Sequence, residues 1–145
     1  MNYFGNKNIL ITGASSGIGE ALAWEFAREG GNLILVARRA ERLEETRSRL
    51  QRDFPTQRVV SFVGDVTQDD SVRTTIQQSI HEMGKIDIVV ANAGFGVSGS
   101  VMGLSLEDYR RQFETNLFGV LRTVKETVPF LKLTQGQIAI VGSVN

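Results

Sequence analysis

The chain has 145 residues, a formal net charge of zero and 41% hydrophobic residues, which is the size and balance of one globular domain. The balanced charge argues against nucleic acid as a partner, and the lack of an apolar run of about 18 residues argues against a membrane partner. With no cysteine and a single histidine, we expect neither disulfides nor a metal site, a composition that fits a cytoplasmic protein.

Five short apolar segments predict buried β-strands, because β-branched and other apolar residues fill nearly every position in them. They span residues 8–12, 33–37, 59–63, 86–91 and 138–142. Longer segments with apolar residues at helical spacing separate the strands, and these predict helices that carry Ile18 to Phe26, Leu43 to Phe54, Val72 to Met83 and Leu106 to Val128. This alternation predicts an α/β protein with a parallel sheet.

Individual residues predict where some helices begin and end. Thr67 and Asp70 have the spacing of a capping box and predict the start of the third helix. Ser105 and Asp108 have the same spacing and predict the start of the last helix. Pro129 is expected to kink or end that helix, because proline has no backbone N–H to donate.

The stretch LITGASSGIGEALA, residues 10–23, places three glycines between the first strand and the first helix. The first N–H groups of a helix have no intrahelical partner and lie at the positive end of its dipole, so they suit an anion. We expect Gly13 to permit the turn, Gly17 to let a pyrophosphate approach the backbone, and Gly19 to permit tight packing of helix on strand. The alternative is a glycine-rich turn that holds no ligand. A P-loop is excluded, because no Gly-Lys-Ser/Thr follows.

Five motifs follow one another in the order of a known family. TGASSGIG (12–19) resembles the cofactor fingerprint of the short-chain dehydrogenase/reductase family. GDV (64–66), NAG (92–94), Asn116 and GS (142–143) resemble that family's later motifs, with Ala91 where the family has a further asparagine. The resemblance covers essentially the whole chain. It implies a Rossmann-like doubly wound parallel sheet that binds a nicotinamide dinucleotide.

The resemblance also implies individual roles. Cofactor-binding roles fall on Gly13, Ser15, Ser16, Gly17, Ile18, Gly19, Arg38, Arg39, Asp65, Val66, Asn92, Ala93 and Gly94. Catalytic roles fall on Asn116 and Ser143. Asp65 would contact the adenine, or else cap the next helix, and Asn92 would either brace the sheet edge or contact the cofactor. Asn116 lies on an apolar stripe, where a buried amide needs partners; the alternative is that it faces solvent.

The end of the second strand indicates which dinucleotide is bound. NAD is usually held there by an acidic residue, whereas this chain has Arg38 and Arg39 after Ala37. A guanidinium suits the 2′-phosphate of NADP(H), so we assign that phosphate to Arg38 and place Arg39 on or near the adenine. The alternative is a basic helix start that faces water, since the following segment is rich in arginine and glutamate.

The family's catalytic pair, Tyr-x-x-x-Lys on the helix after the fifth strand, would fall beyond Asn145. Tyr3 and Lys7 have the same spacing, but they precede the first strand. Right-handed crossovers predict a strand order of 3-2-1-4-5, with two helices on each face. The fifth strand would then be an open edge, although it is apolar on both faces. We therefore expect residues 1–145 to be an NADP-binding Rossmann domain that lacks the C-terminal strands and helices of the full fold.

These observations predict an NADP(H)-dependent oxidoreductase that transfers hydride between the nicotinamide and a small-molecule carbonyl or alcohol. The alternative is a non-catalytic dinucleotide-binding module, because the Tyr-Lys pair is missing. A flavodoxin-like domain that binds FMN is a third interpretation, but it leaves the GDV, NAG and GS motifs unexplained. By analogy with the family, the long helix from Ser105 could form the interface of a homo-oligomer.

Overall fold

A computed structural model describes residues 2–143, which contain a five-stranded parallel sheet. The strands are β1 (Asn8–Thr12), β2 (Asn32–Ala37), β3 (Val59–Val63), β4 (Ile88–Ala91) and β5 (Gln137–Ile140). Their order is β3-β2-β1-β4-β5, which confirms the predicted order and the Rossmann-like, doubly wound topology. In the central register Leu10 of β1 lies opposite Ile34 of β2 and Val89 of β4.

Helices connect the strands on both faces of the sheet. They are α1 (Gly17–Arg28), α2 (Ala40–Asp53), α3 (Asp69–Met83), α4 (Leu106–Phe113) and α5 (Gly119–Thr134). A π-helical turn, Glu114–Phe118, joins α4 to α5. The long helix predicted from Ser105 is therefore interrupted by a single wider turn, a feature that is often found at functional sites.

Alternate residues of the strands build two separate cores. One core lies under α1 and α2, and its buried residues include Ile9, Ile11, Leu33, Leu35, Ala23, Leu43 and Leu50. The other lies under α3 and α5, and its buried residues include Leu10, Ile34, Val36, Val89, Val72, Ile76 and Leu131. Because side chains alternate between the faces of a strand, the consecutive residues 9–11 of β1 and 33–37 of β2 face both cores and are all apolar. The uninterrupted apolar segments in the sequence have this cause.

Helices α3 and α5, which contact each other, both bury hydroxyl side chains. Thr123 and Thr127 on α5 each donate to a carbonyl one turn earlier in the helix, at 2.9 and 2.7 Å. Thr75 and Ser79 on α3 do the same, both at 2.7 Å. Each buried hydroxyl is thus satisfied within its own helix, so the two helices can approach closely without an unpaired polar group.

The amino ends of the central strands are joined by a polar network. The carboxylate of Asp87 accepts from the backbone N–H of Asn8 at 2.8 Å. The Asn8 amide donates to the carbonyls of Met83 and Lys85, and Asn32 donates to Asn8 at 3.1 Å. These groups hold the strands together at their amino ends. The carboxyl ends of the strands, on the opposite side of the sheet, are open to a cleft.

One predicted capping box is wrong, and the last helix does not end at its proline. Helix α3 begins at Asp69 with Gln68 at its N-cap, so Thr67 lies one residue before the capping position, and its hydroxyl donates to Asp65 at 2.8 Å. Pro129 does not end α5, since the helix continues to Thr134. The other capping box is confirmed: Ser105 accepts from the N–H of Asp108, whose carboxylate accepts from the N–H of Ser105. The Ser105 hydroxyl also donates to the Asp108 carboxylate, at 2.8 Å, and this bond and the bond from the Ser105 N–H hold the pKa of Asp108 below its ordinary value.

Strand β5 is the most exposed strand of the sheet, as expected for an open edge. Three of its four residues are exposed, including Ile140 with 58% of its surface accessible. None of the helices described between residues 2 and 143 has the length and apolar character needed to cross a lipid bilayer.

Removing a large side chain from the first core should be costly. Leu50 of α2 has no exposed surface, so Leu50→Ala should lower the free energy of unfolding by about 2–5 kcal/mol. Leu133 of α5 is 83% exposed, and the same substitution there should cost less than about 0.5 kcal/mol. Urea unfolding followed by circular dichroism measures both. Equal losses would contradict the assigned core.

Candidate functional site

A cleft of about 690 Å³ opens at the carboxyl ends of the strands. Its walls come from the segments that follow β1, β2, β3, β4 and β5 and from the π-helical turn. The cleft brings together almost all the predicted site residues: Gly13, Ser15, Ser16, Gly17, Ile18, Arg38, Arg39, Asp65, Val66, Asn92, Ala93, Gly94, Asn116 and Ser143. In open α/β sheets this edge is where ligands bind.

The glycine segment presents bare backbone to this cleft. Gly13 has φ of +65° and turns the chain away from β1. A Cβ built on Gly17, the first residue of α1, would meet nothing within 4 Å, so the backbone there faces open space. Ser16 makes no side-chain capping bond, which leaves the first N–H groups of α1 without a side-chain partner. This helix end is therefore suited to an anionic group.

Gly19 is the one predicted residue that does not line the cleft. A Cβ at Gly19 would lie 2.3 Å from the Gly13 carbonyl oxygen and 2.5 Å from the Asn92 amide nitrogen. Only hydrogen fits there, so the helix can lie directly against the end of β1. The packing role that the sequence predicts for Gly19 follows from these distances.

Asn92 braces the ends of β1 and β4. Its amide nitrogen donates to the carbonyls of Thr12 and Gly13, at 3.1 and 3.4 Å. The Thr12 hydroxyl in turn accepts from the backbone N–H groups of Asn92 and Ala93, both at 3.0 Å. Of the two roles open for Asn92, the geometry favours the brace. Thr12, which the sequence analysis passed over, is the partner that makes the brace possible.

Arg38 and Arg39 differ from three of the four arginines of α2. Arg47, Arg49 and Arg52 each pair with a carboxylate. No carboxylate of residues 2–143 lies within ion-pair distance of Arg38, which is exposed and lines the cleft. Arg39 is likewise without a carboxylate over that range, and its guanidinium donates to the Ser16 hydroxyl at 3.2 Å, across from the glycine segment. Both guanidinium groups therefore retain donors for an anion.

Asp65 sits in a tight turn after β3. Its Oδ1 accepts from the N–H and the hydroxyl of Thr67, at 2.9 and 2.8 Å, and its own N–H donates to the Ser71 hydroxyl at 2.8 Å. Asp65 is thus not the cap of α3, although it shapes the approach to that helix. The hydrogen bonds described for this carboxylate all fall on Oδ1.

Two residues of α5, Gly119 and Arg122, contact Val66. A Cβ on Gly119 would lie 2.7 Å from the Val66 side chain, so the absent side chain makes room for it. Arg122 donates to the Val66 carbonyl at 3.2 Å and also pairs with Asp69 and Glu114. Its hydrogen bond lowers the pKa of Asp69, and Asp69 in turn raises the pKa of Arg122.

The other end of the cleft is organised by Asn116 in the π-helical turn. Its carbonyl oxygen accepts from the Phe95 N–H at 3.0 Å, and its amide nitrogen donates to the Phe95 carbonyl at 2.7 Å. Asn116 is exposed, so the alternative that it faces solvent holds, although its amide still has both of its partners in the Phe95 backbone. One turn earlier, Gln112 accepts from the Val97 N–H at 3.3 Å. Ser143 lines this same end of the cleft.

Gln112 and Arg122 were missed from the sequence. Gln112 precedes Asn116 by four residues, so a helical face shared with a predicted site residue could have indicated it. No such local signal exists for Arg122, because two of its partners, Asp69 and Val66, are 53 and 56 positions away in the chain.

Tyr3 and Lys7 lie away from this cleft. Lys7 directly precedes β1, and its ammonium is 3.9 Å from Asp87 in the network at the amino ends of the strands. Their position agrees with the expectation that Tyr3 and Lys7 are not the family's catalytic pair. Over residues 2–143 there is also no group of three or more His, Cys, Asp or Glu side chains that could hold a metal ion.

Comparisons with known proteins agree with this geometry. A family model described as short chain dehydrogenase matches residues 7–145. The Arabidopsis thaliana protein named 11-beta-hydroxysteroid dehydrogenase 1A is 38% identical over 145 residues, which cover 98% of this chain and 40% of that protein. The chain therefore spans less than half the length of this relative.

Solved structures give the same result. An alcohol dehydrogenase from Thermococcus sibiricus in complex with 5-hydroxy-NADP is 39% identical, with a TM-score of 0.89, covering 92% of this chain and 57% of that one. An NAD+-bound xylitol dehydrogenase is 30% identical, with a TM-score of 0.91, covering 97% and 54%. Similar structures therefore include complexes of both dinucleotide types.

The contact of Gly19 with the end of β1 can be tested directly. Gly19→Ala should lower the free energy of unfolding by about 1–3 kcal/mol, because its methyl group would overlap the Gly13 carbonyl. Gly96→Ala is the matched control, since a Cβ there meets nothing within 4 Å. Chemical unfolding of the two variants gives the comparison. If Gly19→Ala proves as stable as Gly96→Ala, α1 does not pack as described.

Proposed function

The chain belongs to the short chain dehydrogenase family, and from that premise we propose that it is the NADP(H)-binding part of an oxidoreductase. The protein would transfer hydride between the nicotinamide and a carbonyl or alcohol substrate. The observation that carries the proposal is the cleft itself, in which the bare head of α1, two arginines without carboxylate partners, Asn116 and Ser143 share one space. Residues 1–145 would form this domain only in part.

The choice of NADP(H) rests on Arg38 and Arg39. NAD is commonly held by an acidic residue at the end of the second strand, and here Ala37 is followed by two guanidinium groups. Arg38 would pair with the 2′-phosphate, and Arg39, already directed toward Ser16, would lie near the adenine. The pyrophosphate would lie against the first amides of α1, between Gly13 and Ile18.

At the other end of the cleft, the chain's own residues would receive the substrate oxygen. Bound NADPH would supply the hydride. The Ser143 hydroxyl would donate a hydrogen bond to the carbonyl oxygen as negative charge develops on it. Asn116, fixed by both its hydrogen bonds to Phe95, would anchor a water in the path of the proton. The tyrosine that supplies this proton, and the lysine beside it, would belong to sequence beyond Asn145.

The exposed apolar surface of α4, the π-helical turn and α5 supports the proposal of a homo-oligomer. Phe113, Leu117 and Leu121 are about half exposed and recur every four residues, on the face where we propose that a second copy of the chain docks. Sedimentation of the full-length protein tests this homo-oligomer.

The proposed substrate is a small carbonyl or alcohol, and the cytoplasmic location stays a prediction.

The alternative is a dinucleotide-binding module without chemistry. It is favoured by one observation: the Tyr-x-x-x-Lys spacing of this chain, Tyr3 to Lys7, lies at the amino ends of the strands, whereas the cleft lies at their carboxyl ends. Intact mass of native material separates the two proposals, since a species much heavier than 16.0 kDa supports the enzyme. Titration with FMN beside NADPH serves as the control for a flavodoxin-like site.

Arg38→Asp should reverse the choice of dinucleotide. A carboxylate would repel the 2′-phosphate but accept from the ribose hydroxyls of NADH, so the NADPH/NADH affinity ratio should fall by about 100-fold or more. Arg42→Asp is the matched control, because it changes the charge equally on an exposed residue that does not line the cleft. Fluorescence titration measures both ratios. A ratio unchanged by Arg38→Asp would refute the assignment.

Ser143→Ala should separate chemistry from binding. In the full-length protein we expect turnover to fall by about 100-fold or more, with NADPH affinity within about twofold of the parent. Turnover is followed as NADPH oxidation with the best carbonyl compound from a panel of sugars, cyclic ketones and steroid ketones. Ser143→Thr keeps a hydroxyl and should retain part of the rate. Turnover of Ser143→Ala near the parent value would remove Ser143 from the reaction.

A further inference from the structure

Arg122 occupies an unusual position for an ion-paired side chain. Only 22% of its side chain is exposed, and its guanidinium pairs with both Asp69 at the start of α3 and Glu114 at the start of the π-helical turn. Its guanidinium also donates to the carbonyl of Val66, at 3.2 Å. Among the arginines described in residues 2–143, this is the guanidinium that donates to a main-chain carbonyl as well as to carboxylates.

The Val66 carbonyl belongs to a segment that would carry the adenine. Val66 follows Asp65, both residues line the cleft, and the Val66 side chain is packed against Gly119, one turn before Arg122 on α5. Asp65 is held from the other side by Ser71 of α3. Arg122 therefore completes the support of a short segment that has contacts to α3 and α5 but lies outside both helices.

We propose that Arg122 is a positioning residue for the adenine subsite, acting through the main chain of Val66. The inference rests on the proposed function, because it requires an adenine nucleotide in the cleft. Without the guanidinium, the Val66 carbonyl loses its donor, and the segment 64–67 keeps only the packing of Val66 on Gly119 as its contact to α5. The wall against the adenine would then be ordered only on binding, which weakens the affinity for the nucleotide.

The substrate end should feel the change much less. Asn116 lies in the turn that begins at Glu114, but its amide is fixed by two hydrogen bonds to Phe95 rather than by Arg122. A purely structural role for Arg122 would instead lower stability and leave the affinity of the folded protein unchanged. The two roles therefore differ in a measurable way.

The test compares adenosine 2′,5′-bisphosphate and ADP as ligands of the full-length protein, measured by calorimetry. Arg122→Met keeps most of the side-chain length but removes every donor, and it should weaken the preferred ligand by about tenfold. Arg122→Lys keeps a cation between Asp69 and Glu114 but has one nitrogen in place of three, so its affinity should fall between those of the parent and the Met variant. Arg58→Met is the matched control, because it breaks the ion pair with Glu82 away from the cleft.

Each outcome bears on the proposal. Parent-like affinity in both Arg122 variants, or an equal loss in Arg58→Met, overturns the positioning role. If the parent binds ADP but not the bisphosphate, the choice of NADP(H) fails while the effect of Arg122 is still measured with ADP. If the parent binds neither, the proposed function and the positioning role fail together. Should Arg122→Met not fold, the affinity of Arg122→Lys decides. A purely structural role predicts parent-like affinity for this variant, whereas the positioning role predicts a weaker affinity.

Discussion

The close approach of α1 to the end of β1 is the constraint on which the cleft depends. Gly19 lies against the Gly13 carbonyl, and Asn92 donates to that same carbonyl from β4. Any side chain at position 19 would push the helix outward and separate it from the amide that holds β1 to β4. The position of the bare helix end, and with it the position of any anion bound there, thus follows from one contact between backbones.

The sequence was sufficient for the sheet and for most of the cleft. Strands of a doubly wound sheet are buried on both faces, so their composition alone distinguishes them, and the crossover rule then gives their order. The carboxyl ends of such strands meet at one edge, which is why segments as distant as Gly13 and Ser143 could be placed together before any coordinates. Strand ends were less certain: the fourth strand begins two residues later than predicted, and the fifth ends two residues earlier.

Other features depend on contacts that a local pattern does not contain. The Thr67–Asp70 spacing fits a capping box, but α3 begins one residue later than that box requires, and the Thr67 hydroxyl donates to Asp65 instead. Pro129 was expected to kink or end α5, yet the helix continues past it to Thr134, with Thr127 and Leu131 buried on either side of the proline. Arg122 was invisible because its partners come from three other segments. The π-helical turn carries no sequence signal that we can name, although it places Asn116 against Phe95.

Strand β5 has a consequence for the behaviour of this chain on its own. Within residues 2–143 no strand pairs with its outer edge, along a segment, Gln137–Ile140, that contains no charge and no proline. Such an edge is a template for intermolecular β-pairing, and the exposed Ile140 adds an apolar contact to it. When residues 1–145 are prepared in isolation, their self-association should therefore increase with protein concentration. A short peptide that pairs with this edge should reduce it.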